Sequence, residues 1–108
     1  MAGPQINVGN VQLVSLTDGT PTRSPLMPFP DTTLEQWREF PELMVSADEV
    51  QSRYGVLAVR SGGKLIIVDT GLQAPDGTLI QDMNDKGVDP ATVDIVVFTH
   101  LHPDHVGW

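Results

Sequence analysis

Val93-Asp94-Ile95-Val96-Val97-Phe98-Thr99 runs straight into His100-Leu101-His102-Pro103-Asp104-His105-Val106-Gly107-Trp108, and this passage decides how the chain is read. Ile95 to Phe98 is apolar without alternation, the pattern of a strand covered on both faces inside a layered α/β protein. All three histidines of the chain fall within the six positions from His100 to His105, with Asp104 among them. In extended backbone His100 and His102, at i and i+2, project to the same side. Pro103 then breaks regular structure and starts a turn, so Asp104 and His105 can face a different point. The spacing offers two donor pairs rather than one cluster. Imidazole and carboxylate together suit borderline divalent ions such as Zn²⁺. Two-metal hydrolytic sites hold their ions ~3.5–4 Å apart, a separation two such pairs could serve. The competing reading is chance, since a lone histidine is usually structural or solvated. Gly107 has no β-carbon, so a backbone or a ligand could approach closely there.

Upstream, Tyr54-Gly55-Val56-Leu57-Ala58-Val59-Arg60 and Lys64-Leu65-Ile66-Ile67-Val68-Asp69 read as two strands joined by Ser61-Gly62-Gly63, with glycine supplying the positive φ of a tight hairpin. Asp69-Thr70-Gly71 ends the second strand and a turn-rich loop follows. Residues 78–86 read as a helix: Thr78 and Gln81 form a capping box, Leu79, Ile80 and Met83 make an apolar face, and Gly87 suits the end. Asp89-Pro90 can open one further helical turn.

Nearer the start, Val11-Gln12-Leu13-Val14-Ser15-Leu16 is a strand candidate. Residues 17–30 read as loop, with a turn signal at Asp18-Gly19 and four prolines at 21, 25, 28 and 30. Residues 32–40 suggest a short helix with Thr32 and Glu35 as its capping box and Pro41 past its end. So long an excursion is either a lid or binding loop, or a surface elaboration packing on its own core.

Composition narrows the function classes. The chain has 108 residues, 40% hydrophobic and 19% charged, which suits one small globular domain. A net charge of −8 with only six Lys and Arg leaves no basic stripe for a phosphate backbone, so nucleic acid is not an expected partner. With no cysteine, disulfides and thiolate metal sites are ruled out. The start at Met1-Ala2-Gly3-Pro4-Gln5-Ile6-Asn7 lacks the basic and apolar regions of a leader. No apolar stretch approaches the ~20 residues of a membrane span. A cytoplasmic location without membrane association is the expectation.

Thr99-His100-Leu101-His102-Pro103-Asp104-His105-Val106-Gly107 resembles the H-x-H-x-D-H signature of the metallo-β-lactamase-fold hydrolase superfamily. Ile66-Ile67-Val68-Asp69-Thr70-Gly71 resembles the strand-end Asp-x-Gly that the family places beside its metals. The resemblance covers residues 54–108, and residues 1–53 match only in general layout. It implies an αββα sandwich with metals at one edge. The chain is then expected to be a layered α/β fold, the N-terminal half of that sandwich, with one mostly antiparallel sheet and flanking helices. Residues 1–108 would form a single partial domain, with 17–47 as a lid-like insertion and 54–108 as the motif-bearing core.

The same resemblance implies that His100 and His102 hold a first metal and that Asp104 and His105 hold a second. Asp69 would hydrogen-bond and orient the motif loop, and a plain turn former is its other reading. The implied cofactor is Zn²⁺, two ions per complete site, with Fe, Mn and Co as alternatives. The implied reaction is hydrolysis of an ester, lactone, thioester or phosphoester in a small-molecule substrate by metal-activated hydroxide, with Asp104 both ligand and proton acceptor. Family members are usually longer, and take another histidine, a bridging aspartate and a late histidine from residues beyond these 108. The chain alone is therefore expected to be inactive. The alternative is a non-catalytic metal-binding or interaction remnant. Half a sandwich leaves one sheet face uncovered, which invites self-association. The Pro-rich segment with Trp37 and Phe40 looks most like the lactonase and organophosphate hydrolase branches, near the glyoxalase II-like one.

Overall fold

The computed structural model describes residues 4–73 and 75–108, so the first three residues of the start read for a leader lie outside it. In chain order the elements are β1 (Gln5–Val8), β2 (Val11–Thr17), β3 (Thr22–Arg23), α1 (Leu34–Arg38), β4 (Val50–Gln51), β5 (Gly55–Ser61), β6 (Lys64–Val68), α2 (Leu79–Asp85) and β7 (Ile95–Val97). Single 3-10 turns occupy Pro41–Leu43 and Pro90–Thr92. The latter is the extra turn expected at Asp89-Pro90, with the Asp89 side chain accepting from the Ala91 N–H at 2.9 Å.

The chain divides into two units, Met1–Gly19 with Tyr54–Trp108, and Thr20–Arg53. The first holds a five-stranded sheet in the order β1-β2-β5-β6-β7. Its pairings are antiparallel except the last, where β7 runs parallel to β6 after the α2 crossover. This is the mixed α/β half with a mostly antiparallel sheet that the sequence suggests. Strand alternation builds the core. Val14 and Leu16, Val56 and Ala58, and Leu65 and Ile67 are buried on one face, and Leu79, Met83 and Val88 pack against them. The opposite face, carrying Leu13, Leu57, Val59 and Ile66, is half-buried. Gly62 (φ 57°) and Gly63 (φ 76°) close the β5–β6 hairpin by a two-residue turn, with Ser61 paired to Lys64.

The structure corrects the reading of the last strand as one covered on both faces. Ile95, Val96, Val97 and Phe98 are 45%, 46%, 45% and 44% exposed. β7 is the edge of the sheet, and the described residues supply no layer over it. An unbroken apolar run shows that a strand can be buried twice over; burial itself needs neighbours.

Capping also differs from expectation. Helix α1 starts one residue later: Thr33 and Gln36 form the reciprocal box, with Thr33 Oγ1 accepting from Gln36 N at 3.2 Å and Gln36 Oε1 accepting from Thr33 N at 2.9 Å. Thr32 instead accepts from Trp37 Nε1 at 2.8 Å. At α2 the Thr78 side chain makes no cap hydrogen bond. The Asp18 carboxylate, at the end of β2, accepts from the Leu79 N–H at 2.9 Å in its place. The sequence also conceals β1, which joins β2 through Gly9 (φ 60°), and the small β3–β4 pair.

In the second unit β3 and β4 pair antiparallel, and Trp37 lies 5.6 Å from Phe29. Thr32, Gln36, Trp37, Phe40 and Leu43 line a largely apolar cavity of about 380 Å³. Among the described residues no helix is long and apolar enough to cross a membrane.

Candidate functional site

Parallel pairing brings the C-terminal ends of β6 and β7 to the same edge, with Val68 opposite Val97. One more ladder bond, Asp69 N–H to Val97 O at 2.8 Å, carries the pairing past the strands. Asp69 then turns the chain with φ 65°, a left-handed conformation that aspartate tolerates better than most residues. Its carboxylate is buried, at 6% exposure. It accepts from the Thr99 N–H at 2.8 Å, from the Thr99 hydroxyl at 2.8 Å, and from His105 Nδ1 at 2.7 Å. Burial raises the Asp69 pKa. The Thr99 N–H, the His105 ring, the Thr99 hydroxyl and the charge of His105 outweigh it and hold the carboxyl below its ordinary value.

The motif loop is laced to the loop after Asp69. His105 N–H bonds back to His102 O at 2.9 Å, closing a turn over residues 102–105 with Pro103 at its second position. Thr70 N–H donates to His105 O at 2.8 Å and Gly107 N–H donates to Gly71 O at 2.8 Å. Gly107 is where backbone approaches backbone: a Cβ there would collide with Leu72. Gly71, at φ 69°, packs so tightly on Asp18 that a Cβ would overlap its side chain.

Asp18 is the residue that sequence reading missed. Read as a turn former, it is 1% exposed and collects four donors on one carboxylate. These are the N–H groups of Leu72 at 2.8 Å, Gln73 at 2.8 Å and Leu79 at 2.9 Å, with the indole Nε1 of Trp108 at 2.7 Å. It ties β2, the Asp69 loop, α2 and the end of the motif loop to one point. Nothing local in Asp18-Gly19 signals this, because every donor on the side chain lies more than fifty positions away.

The three imidazoles meet above this base. The His100 ring centre lies 3.9 Å from that of His105 and 4.7 Å from that of His102. Asp104 Oδ2 is 3.5 Å from His105 Nε2. His100 and His102 are exposed, while Asp104 and His105 are half-buried. The expected division into two pairs is therefore less clean than the spacing implies, since His105 stacks against His100. Among the described residues, no three or more His, Asp or Glu side chains are arranged to enclose one ion.

The donors fit a divalent ion as partial sets. In its neutral form His105, which spends Nδ1–H on Asp69, is left with Nε2 as an acceptor, 3.5 Å from Asp104 Oδ2. Two acceptors facing each other repel unless a proton or cation lies between them. Their 3.5 Å separation matches the ~3.4 Å edge of a tetrahedron with ~2.1 Å ligand bonds.

The family model described as metallo-beta-lactamase superfamily matches residues 48–108. AbOPH, a hydrolase in the beta lactamase superfamily, is 32% identical with a TM-score of 0.81 over 97% of this chain and 38% of its own. AidC, a dizinc quorum-quenching lactonase in complex with a product, is 24% identical with a TM-score of 0.82 over 98% of this chain and 38% of its own. A probable metal-dependent hydrolase from Staphylococcus aureus is 16% identical with a TM-score of 0.71 over 93% of this chain and 41% of its own. The chain thus spans 38% of the length of the first two. Comparison with curated proteins gives no match.

Proposed function

The chain belongs to the metallo-beta-lactamase superfamily, and from that premise we propose that it forms the motif-bearing part of a metal-dependent hydrolase. His100 and His102 would hold one divalent ion, and Asp104 and His105 a second, with Zn²⁺ the first choice and Fe, Mn or Co the alternatives. Bound there, such ions supply Lewis acidity that makes water a nucleophile near neutral pH. The rest belongs to the chain. Asp69 orients His105, and Asp18 anchors the loop on which Asp69 stands. Asp104 is at once donor to the ion and acceptor for a proton from water. The substrate would be a small molecule with an ester, lactone, thioester or phosphoester bond, the kind of chemistry that AidC, a lactonase, performs on the same fold. A lid-like role for residues 17–47 belongs to the same proposal.

One observation carries this reading: His105 Nε2 and Asp104 Oδ2 face each other at 3.5 Å, beside the His100 ring. With two donors in each pair, these 108 residues by themselves are expected to hydrolyse nothing at enzymatic rates. Calorimetric titration with Zn²⁺ tests the site. A His100→Ala, His102→Ala double variant should lose at least tenfold in affinity, and equal affinity would refute the ligand assignment. Robust metal-dependent lactone or ester turnover by the 108-residue chain would refute the expected inactivity.

A further inference from the structure

Thr99 lies between the Asp69 carboxylate and the His100 ring. Its hydroxyl oxygen is 2.8 Å from Asp69 Oδ2 and 3.0 Å from His100 Nδ1. A threonine hydroxyl has one proton and an ionised carboxylate has none. The proton of Thr99 therefore goes to Asp69. Toward His100 the hydroxyl can only accept, so His100 Nδ1 must carry the hydrogen of the neutral ring. Asp69 Oδ2 meanwhile receives His105 Nδ1 directly at 2.7 Å. One buried carboxylate thus sets the tautomer of two imidazoles, the second by contact and the first through Thr99.

From this we propose that Thr99 is a positioning residue: its hydroxyl relays Asp69 to His100 and holds that imidazole with Nε2 unprotonated and free to bind a divalent ion. The metal part rests on the hydrolase reading above; the tautomer part does not. It also explains why Thr99 serves here better than another β-former. Valine would match its shape and its strand preference, but would leave His100 Nδ1 without an acceptor and one oxygen of Asp69 short of a donor. The Thr99 N–H to Asp69 Oδ1 bond, at 2.8 Å, needs only backbone and would survive the change.

The test uses ¹⁵N-histidine labelling, simple in a chain with three histidines, and metal-free protein in mildly alkaline buffer. Long-range ¹H–¹⁵N spectra distinguish the two tautomers. His100 should carry its proton on Nδ1 in the parent and in Thr99→Ser, and should shift toward the Nε2–H form in Thr99→Val. Zn²⁺ affinity, by competition with a chromophoric chelator, should fall about 10–100-fold in Thr99→Val and recover in Thr99→Ser. A parent whose His100 is protonated on Nε2 overturns the proposal without any variant. So does a folded Thr99→Val with unchanged tautomer and zinc affinity. A parent that binds no zinc would sink the hydrolase reading instead, and the tautomer spectra would still decide the role of Thr99.

Discussion

At the scale of single residues, the site depends on two backbone positions of left-handed conformation, Asp69 at φ 65° and Gly71 at φ 69°. Asp69 can hold such a φ because its short polar side chain is engaged on three sides. Gly71 holds it because no other residue fits: a Cβ there would overlap Asp18. Gly62 offers the control, with a similar φ of 57° and open space around it. Gly62→Ala should therefore cost only the conformational penalty, ~1–2 kcal/mol. Gly71→Ala should cost more, by at least ~1 kcal/mol, because overpacking is added to it. Urea unfolding of both variants measures the difference, and equal losses would show that the Gly71–Asp18 contact is slack. The histidine and aspartate identities of the cluster were legible in the sequence because their spacing carries chemistry. Asp18 was not, because a buried carboxylate and a turn-forming one look alike until their partners are known.

At the scale of elements, α2 shows how a local signal can mislead. Thr78 and Gln81 satisfy the capping-box pattern, yet Thr78 makes no cap bond and Gln81 instead donates to Asp85 at 2.8 Å. The Asp18 carboxylate occupies the cap position from the end of β2, sixty-one residues away in sequence. Long-range capping joins helix to sheet as well as closing the helix. Asp18→Ala would leave the buried amide of Leu79 and the part-buried amides of Leu72 and Gln73 without an acceptor. Each such orphan costs ~1–3 kcal/mol, so a loss of at least ~3 kcal/mol is expected in equilibrium unfolding. Thr78→Ala should change stability by less than ~0.5 kcal/mol, the range of surface substitutions. A reversed order would restore Thr78 as the cap. The β5–β6 hairpin, by contrast, was readable from sequence alone, since its turn glycines and its alternation act within a dozen residues.

At the scale of the whole molecule, the apolar edge strand β7 and the half-buried sheet face opposite α2 are among the surfaces that the described residues leave open. Val97 pairs with Val68, on the face away from the buried Ile67. Open apolar edges template further strand pairing, and lysine is the residue that natural edges use to prevent it. The 108-residue chain should therefore self-associate with rising concentration, and Val97→Lys should weaken that association several-fold. Sedimentation velocity reads both. A parent that stays monomeric across a wide concentration range would show that the exposed strand is not adhesive.

The sequence alone determined which donor side chains stand together at the end of a strand, and the local scaffold. Imidazole and carboxylate spacing at a strand end, glycine at a tight hairpin, and apolar alternation along β2, β5 and β6 all act over a few residues, so they can be read in order along the chain. Tertiary structure decided what burial and distance decide. Pairing β6 with β7 set Asp69 against Thr99 and His105, folding β2 beside α2 made Asp18 a common anchor, and the end of the sheet left β7 exposed. Hydrogen-bond partners and covering layers come from residues far away in sequence, and only closing the loops between them brings such groups within reach.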